Sequence, residues 1–215
     1  MRPFLFDVEM ELEGWALFFA GLELTGRGAP ELAALCGAMT ARVRERADYA
    51  DLPSHPAAAR IRRLFRKAGT DPTRYRPSSE ALLRRLLKGE GIPAIHPLVD
   101  LNNCLSAELA VPCCVMAEGT FEPPFRLRAG RAGEGYESLR GTFSLEGKPL
   151  LCDANGPLDT PITGNTRVKV TRDTSAAWFV AYLPAGVVAP EQACAALERL
   201  VDEAPVVRVV WTHAS

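Results

Sequence analysis

The apolar positions of this chain fall into two textures. Residues 15–24, WALFFAGLEL, are continuous, aromatic and short, the pattern of a buried strand. After Pro30 the apolar positions Leu32, Leu35, Ala38 and Met39 recur at helical spacing within PELAALCGAMTARVRERA, which predicts a helix with proline in its first turn. Pro56 opens a second predicted helix to about Lys67, with Ile61, Leu64 and Phe65 on one face, arginines elsewhere and Gly69 as its stop. Pro77-Ser78-Ser79-Glu80 starts a third: proline is preorganised for the first turn, and an early Ser and Glu suit free amides and the positive end of the dipole. Leu82, Leu83, Leu86 and Leu87 form its apolar stripe, and a short helix is expected from Asp100 to about Leu109, stopped by Pro112.

Beyond Pro112 the texture changes. Residues 120–188 carry many glycines and prolines around short β-type runs, namely FRLRA, GTFSL, PLLCD, TRVKVT and AWFVAYL. A helix, PEQACAALERLVDEA, and a strand, VVRVVWT, close the chain, and that last strand is a candidate partner for residues 15–24. The expected class is α+β, with helices in the N-terminal half, a β-rich stretch over 115–185 and paired terminal strands.

Composition narrows the functional classes. The chain has 215 residues, enough for a sizeable core as one large domain or two small interlocked ones. With 47% hydrophobic and 24% charged residues it reads as an ordinary soluble protein, and no apolar run approaches a bilayer span. The start, MRPFLFDVEMELEGW, is too acidic and interrupted for a secretory signal, so the cytoplasm is expected and a membrane is not an expected partner. Cys36, Cys104, Cys113, Cys114, Cys152 and Cys194 form no CxxC pair, and His55, His96 and His213 are far apart. Reduced, partly buried thiols are expected, with no metal and no cofactor.

Charge is the most informative feature. The net charge is −1, yet Arg60–Lys88 holds ten basic residues against two acids. Such a concentration attracts a polyanion, and Arg62, Arg63, Arg66, Arg74, Arg76, Arg84 and Arg85 are the candidate RNA-contacting residues. DNA is not an expected partner. The plainer reading is a solvated helix face whose arginine stems cover apolar surface, with Arg76 and Arg84 paired to Glu80.

The wording RYRPSSEALLRRLLKGEGIP, then LVDLNN, then the late GNTRVKVTRDTS resembles the B3/4 domain family over roughly residues 55–185. That domain occurs in the β subunit of bacterial phenylalanyl-tRNA synthetase, where it houses an editing site that hydrolyses tyrosine mischarged onto the phenylalanine tRNA. It also occurs as free-standing proteins, which this chain resembles more. The resemblance implies a single compact unit over 1–215: a strand–helix flank at 1–54, the B3/4 core at 55–185 and a closing helix and strand at 186–215. It implies association with RNA, with tRNA or aminoacyl-tRNA as partner, and trans-editing as the candidate activity.

Carried onto this sequence, the family's pocket asparagine after Val-Asp-x-x falls at Asn103, with Asn102 beside it. The pocket glycine falls at Gly164, where a missing side chain would let a substrate approach the backbone. The family's pocket histidine aligns with Cys114 and its glutamate with Thr166, so the two most polar groups differ here. Where free-standing members carry AYDLD-like and Cys-Arg-Arg-Trp stretches, this chain reads CCVMAEG and DANGPLDTPITGN, a divergent member.

Each candidate has a bland counterpart. Ester hydrolysis needs positioned water and donors rather than a nucleophilic side chain, so Asn102, Asn103, Thr163, Gly164 and Thr166 suffice chemically; they equally describe an ordinary polar turn. Asp100 reads as a helix cap, Cys114 as a core or pocket-wall thiol, His96 as a loop residue and Glu134 as part of a turn. Two further readings stay open: a non-catalytic binder of an amino acid or similar small molecule, and an interaction module for an acidic protein.

Overall fold

The computed structural model describes residues 6–215, so the reading of the acidic start lies partly outside the described residues. Strands β1 (Val8–Met10) and β2 (Trp15–Leu24) precede four helices, α1 (Ala29–Glu45), α2 (Pro56–Ala68), α3 (Ser78–Leu87) and α4 (Pro97–Leu109). Seven strands follow: β3 (Cys113–Ala117), β4 (Phe125–Ala129), β5 (Gly135–Ser138), β6 (Gly141–Ser144), β7 (Pro149–Asp153), β8 (Gly156–Asp159) and β9 (Ala176–Pro184). Helix α5 (Pro190–Glu203) and strand β10 (Val207–Ala214) complete an α+β fold.

One sheet has the order β10-β2-β9-β3, a second has β1-β4-β7-β8, and β5 and β6 form a hairpin. The apolar run of β2 pairs antiparallel with β9 on one side and with β10 on the other, which joins the two ends of the described chain as expected. A register shift between Val209 and Trp211 lays the indole of Trp211 over Gly21, where any Cβ would overlap the ring. Aromatic rings tie the two large sheets together. Phe19 of β2 stacks on Phe125 of β4 with centroids 5.3 Å apart, and Trp178 of β9 meets Phe121 edge-on at 4.8 Å.

Two expectations change. TRVKVT is not a strand: Thr166–Val168 is a 3-10 turn. Asn165 Oδ1 accepts from the Arg167 amide at 2.9 Å, and the Arg167 guanidinium is drawn to Asp153 at 3.0 and 3.1 Å. These local bonds outcompete a ladder, and the valine periodicity serves to bury Val168 and to pack the half-buried Val170 against the core. Helix α4 starts at Pro97 rather than Asp100, because His96 Nδ1 accepts from the Leu98 amide at 3.3 Å and caps it. Asp100 is indeed a capping group, accepting from the amides of Ile95 at 2.9 Å and His96 at 3.4 Å. Strands β3 and β8 carry no clean alternation and emerge only through pairing.

Candidate functional site

The site is built around the last residue of β8. From Asp159 the chain turns through Thr160–Asn165 and returns as a bridge between Asp159 and Gly164. Thr160 stitches this loop: its hydroxyl donates to the Thr163 carbonyl at 3.0 Å and accepts from the Thr163 amide at 3.2 Å. The turn leaves Asp159 only 1% exposed. Tyr182 of β9 donates to its Oδ2 at 2.6 Å, while its Oδ1 is buried without a hydrogen-bond partner. Tyr136 of β5 closes another side, donating to the Thr163 carbonyl at 2.6 Å with Thr160 Oγ1 3.1 Å away. Cys114 of β3, paired with Val180 of β9, lies beside the carboxyl and interacts with it, yet forms no hydrogen bond to Oδ1.

The electrostatics follow from this enclosure. Burial raises the Asp159 carboxyl to about 7, a rise that the Tyr182 hydrogen bond opposes. Burial and the adjacent carboxylate push the Cys114 thiol and the Tyr182 and Tyr136 phenols upward. At neutral pH the cluster is therefore a half-ionised carboxyl among three neutral acids. Cys114 is a protonated thiol here, not a thiolate.

Of the residues singled out from sequence, Cys114, Thr163 and Gly164 come together at Asp159. A Cβ built on Gly164 would lie 3.8 Å from Asp159 Oδ1 and, its chain neighbours aside, meet no other atom within 4 Å, although Oδ1 itself is fully covered. Asn102 is buried and donates to the Cys113 carbonyl at 3.3 Å, fixing β3 beside Cys114, and its Oδ1 is also unpartnered. Asn103 is half-buried and makes no side-chain hydrogen bond among the described residues. Thr166 donates to the Glu137 carbonyl at 3.0 Å and lines a different cleft of about 530 Å³, with Glu118, Arg167 and Lys169. Sequence reasoning missed Asp159, Tyr136 and Tyr182. The readable hints were an aspartate inside an apolar strand end and a tyrosine in AWFVAYL, whose buried hydroxyl requires a partner.

The basic segment divides into paired and free arginines. Glu80, 1% exposed, accepts from Arg62 at 2.8 Å and Arg84 at 3.0 Å, with Arg76 at 3.5 Å. Arg85 pairs with Glu90 at 2.8 Å. Arg63, Arg66 and Arg74 are exposed and stand outside any ion pair among the described residues. Arg74 lies over the Tyr75 ring at 5.2 Å, and Lys148, absent from the sequence-based candidates, lies over the same ring at 4.0 Å. Tyr75 packs edge-on against Phe143 at 6.1 Å, and Phe143 meets Tyr136 at 6.0 Å. The Ser78 amide, at the start of α3, donates to the Pro161 carbonyl at 2.9 Å. Arg74 is thus connected, through Tyr75, Phe143 and Tyr136, to the loop that carries Asp159.

Elsewhere Glu134 serves its turn by accepting from the Arg131 amide at 2.6 Å and binding Arg128 through both oxygens. The Arg128 guanidinium, with that amide, holds its carboxyl at about 2. All six cysteines are free, with Cys36 and Cys104 Sγ 3.7 Å apart. Among the described residues no group of three or more His, Cys, Asp or Glu side chains is placed to hold a metal, and no helix is long and apolar enough to cross a membrane.

Fold and site together define an α+β domain whose buried Asp159 cluster sits between strands of both sheets and a hairpin. Residues 60–209 match the family model of the B3/4 domain, so the chain belongs to the B3/4 domain family. Among solved structures it is similar to the crystal structure of an N-terminal fragment of the phenylalanyl-tRNA synthetase β-subunit from Pyrococcus horikoshii, at 14% identity and a TM-score of 0.46. That similarity covers 97% of this chain and 52% of that one, so the chain spans about half of the fragment's length. The comparison with curated proteins gave no match.

Proposed function

We propose that this protein binds the aminoacylated end of a transfer RNA and hydrolyses a mischarged ester held in the Asp159 pocket. In this reading Arg63, Arg66 and Arg74 lie along the phosphates, and Cys114, Thr163, Gly164 and Tyr182 surround the aminoacyl group. The observation that carries it is the run of contacts from Arg74 and Lys148 through Tyr75, Phe143 and Tyr136 to the Asp159 loop. A polyanion on the exposed arginines would deliver its terminus beside Gly164. Aminoacyl esters are reactive enough that orientation and a positioned water supply much of the acceleration, so the protonated Cys114 thiol is no obstacle.

The test is deacylation of a panel of correctly and incorrectly charged tRNAs, including tyrosine on the phenylalanine acceptor. The parent is compared with Arg63→Glu/Arg66→Glu/Arg74→Glu and with Asn103→Ala. Hydrolysis of at least one mischarged species is expected, weakened about tenfold or more in the triple variant, with a salt dependence shallower by roughly two to three charges. tRNA binding without hydrolysis would leave an RNA-binding domain. Neither binding nor hydrolysis would leave the pocket as a small-molecule site.

A further inference from the structure

We infer that Asp159 Oδ1 is the receptor for a protonated amino group, so that the pocket selects aminoacyl esters with a free α-amine over N-acylated ones. This rests on the aminoacyl reading above and names the feature of the substrate that the site reads.

The argument is one of complementarity. Every group facing the carboxyl is already committed or uncharged. Tyr182, from β9, spends its hydroxyl on Oδ2, and Tyr136, from β5, spends its own on the Thr163 carbonyl. The Thr160 hydroxyl is used within the loop. Cys114, from β3, is a neutral thiol without a hydrogen bond to Oδ1. No ion pair reaches Asp159 among the described residues, whereas Glu80, equally buried, is met by three guanidinium groups. A buried carboxylate lacking both a cation and a donor at one oxygen is matched by an ammonium, which supplies both at once. On that side Gly164 presents no side chain, and the position a Cβ would take lies 3.8 Å from Oδ1. An N-acyl amide would bring a single N–H, no charge, and added bulk over that glycine.

The proton balance is specific. Binding requires the carboxylate, so below about pH 7 the ammonium displaces a proton from Asp159 to solvent, and affinity falls with pH.

The experiment is calorimetric titration of the parent with methyl esters of Ala, Ser, Phe and Tyr and with their N-acetyl forms, alongside the isosteric Asp159→Asn and the space-filling Gly164→Val. Folding of both variants is checked by circular dichroism. At pH 7.5 the parent should bind at least one free-amine ester about tenfold or more tightly than its N-acetyl form. Affinity for that ester should fall roughly fivefold between pH 7.5 and 6, the loss of the carboxylate titrating near 7 being partly offset by fuller protonation of the ester's α-amine. Asp159→Asn should abolish both the preference and the pH dependence, and Gly164→Val should abolish binding. Equal affinity for the two ester forms, a preference that survives in Asp159→Asn, or no binding of any ester overturns the inference. Deacylation of aminoacyl- and N-acetyl-aminoacyl-tRNA separates the two claims. Equal hydrolysis of both sinks the amine receptor and leaves the editing reading standing. Amine-selective ester binding without any hydrolysis does the reverse.

Discussion

Glu80 and Asp159 are buried to the same degree, each 1% exposed, and their surroundings are opposite. Glu80 sits at the hub of Arg62, Arg76 and Arg84, so its charge is met by the protein's own cations. Asp159 has one tyrosine hydroxyl on one oxygen, no hydrogen bond on the other, and only a neutral thiol beside it. The first arrangement is saturated and holds α2 to α3; the second leaves electrostatic work undone. A buried charge of the first kind is architecture, and one of the second kind is the basis of the site proposed above.

Substitutions should pull the two apart. Glu80→Gln removes the hub and leaves Arg62, 14% exposed, without its counter-ion. Two of its three partners are over two-fifths exposed, so the loss should fall at the low end for a broken buried pair, about 3 kcal/mol in urea unfolding. Asp159→Asn should act in the opposite direction. Its folded value of about 7 lies above the ordinary 3.8, so between about pH 4 and 7 the native state holds a proton that the unfolded chain lacks. Parent stability therefore falls as pH rises through that window, and the loss is complete above about pH 8. The asparagine variant, which does not titrate, should gain on the parent by roughly 2–3 kcal/mol between pH 5 and pH 8. Parallel denaturation curves at those two pH values decide the matter; a variant less stable at both would mean that Asp159 has a partner of its own. The smallest effect should come from Arg76→Gln. That guanidinium is 44% exposed and 3.5 Å from Glu80, so the cost should stay within about 0.5 kcal/mol.

The same contrast explains how far the sequence could be read. Glu80 was legible because its partners Arg76 and Arg84 lie at helical spacing on either side, a local relation. Two helix starts were legible for a similar reason, since Pro30 and Pro56 each sit in a first turn, whereas α4 starts at Pro97 and not at the expected Asp100. Asp159 was not, because Tyr182 and Cys114 reach it from strands remote in sequence, and no periodicity announces that meeting. The family resemblance led to Cys114, where the pattern has a histidine, and to Gly164, which keeps the pattern's glycine, and the structure places Asp159 of β8 beside both. TRVKVT misled because its valine alternation is genuine, while the side chains of Asn165 and Arg167, not the alternation, decide the backbone.

The pairing of β10 with β2 also bears on how the molecule reaches this state. Thr25 and Pro205, which bond beside that pairing, lie 180 residues apart in the chain. Closing the central sheet must therefore await contacts of very high sequence separation, which places folding toward the slow, millisecond-to-second end of the range. Until then the WALFFAGLEL strand lacks a partner along one edge, and its apolar face is open to association with other chains. Refolding yield should accordingly drop as protein concentration rises.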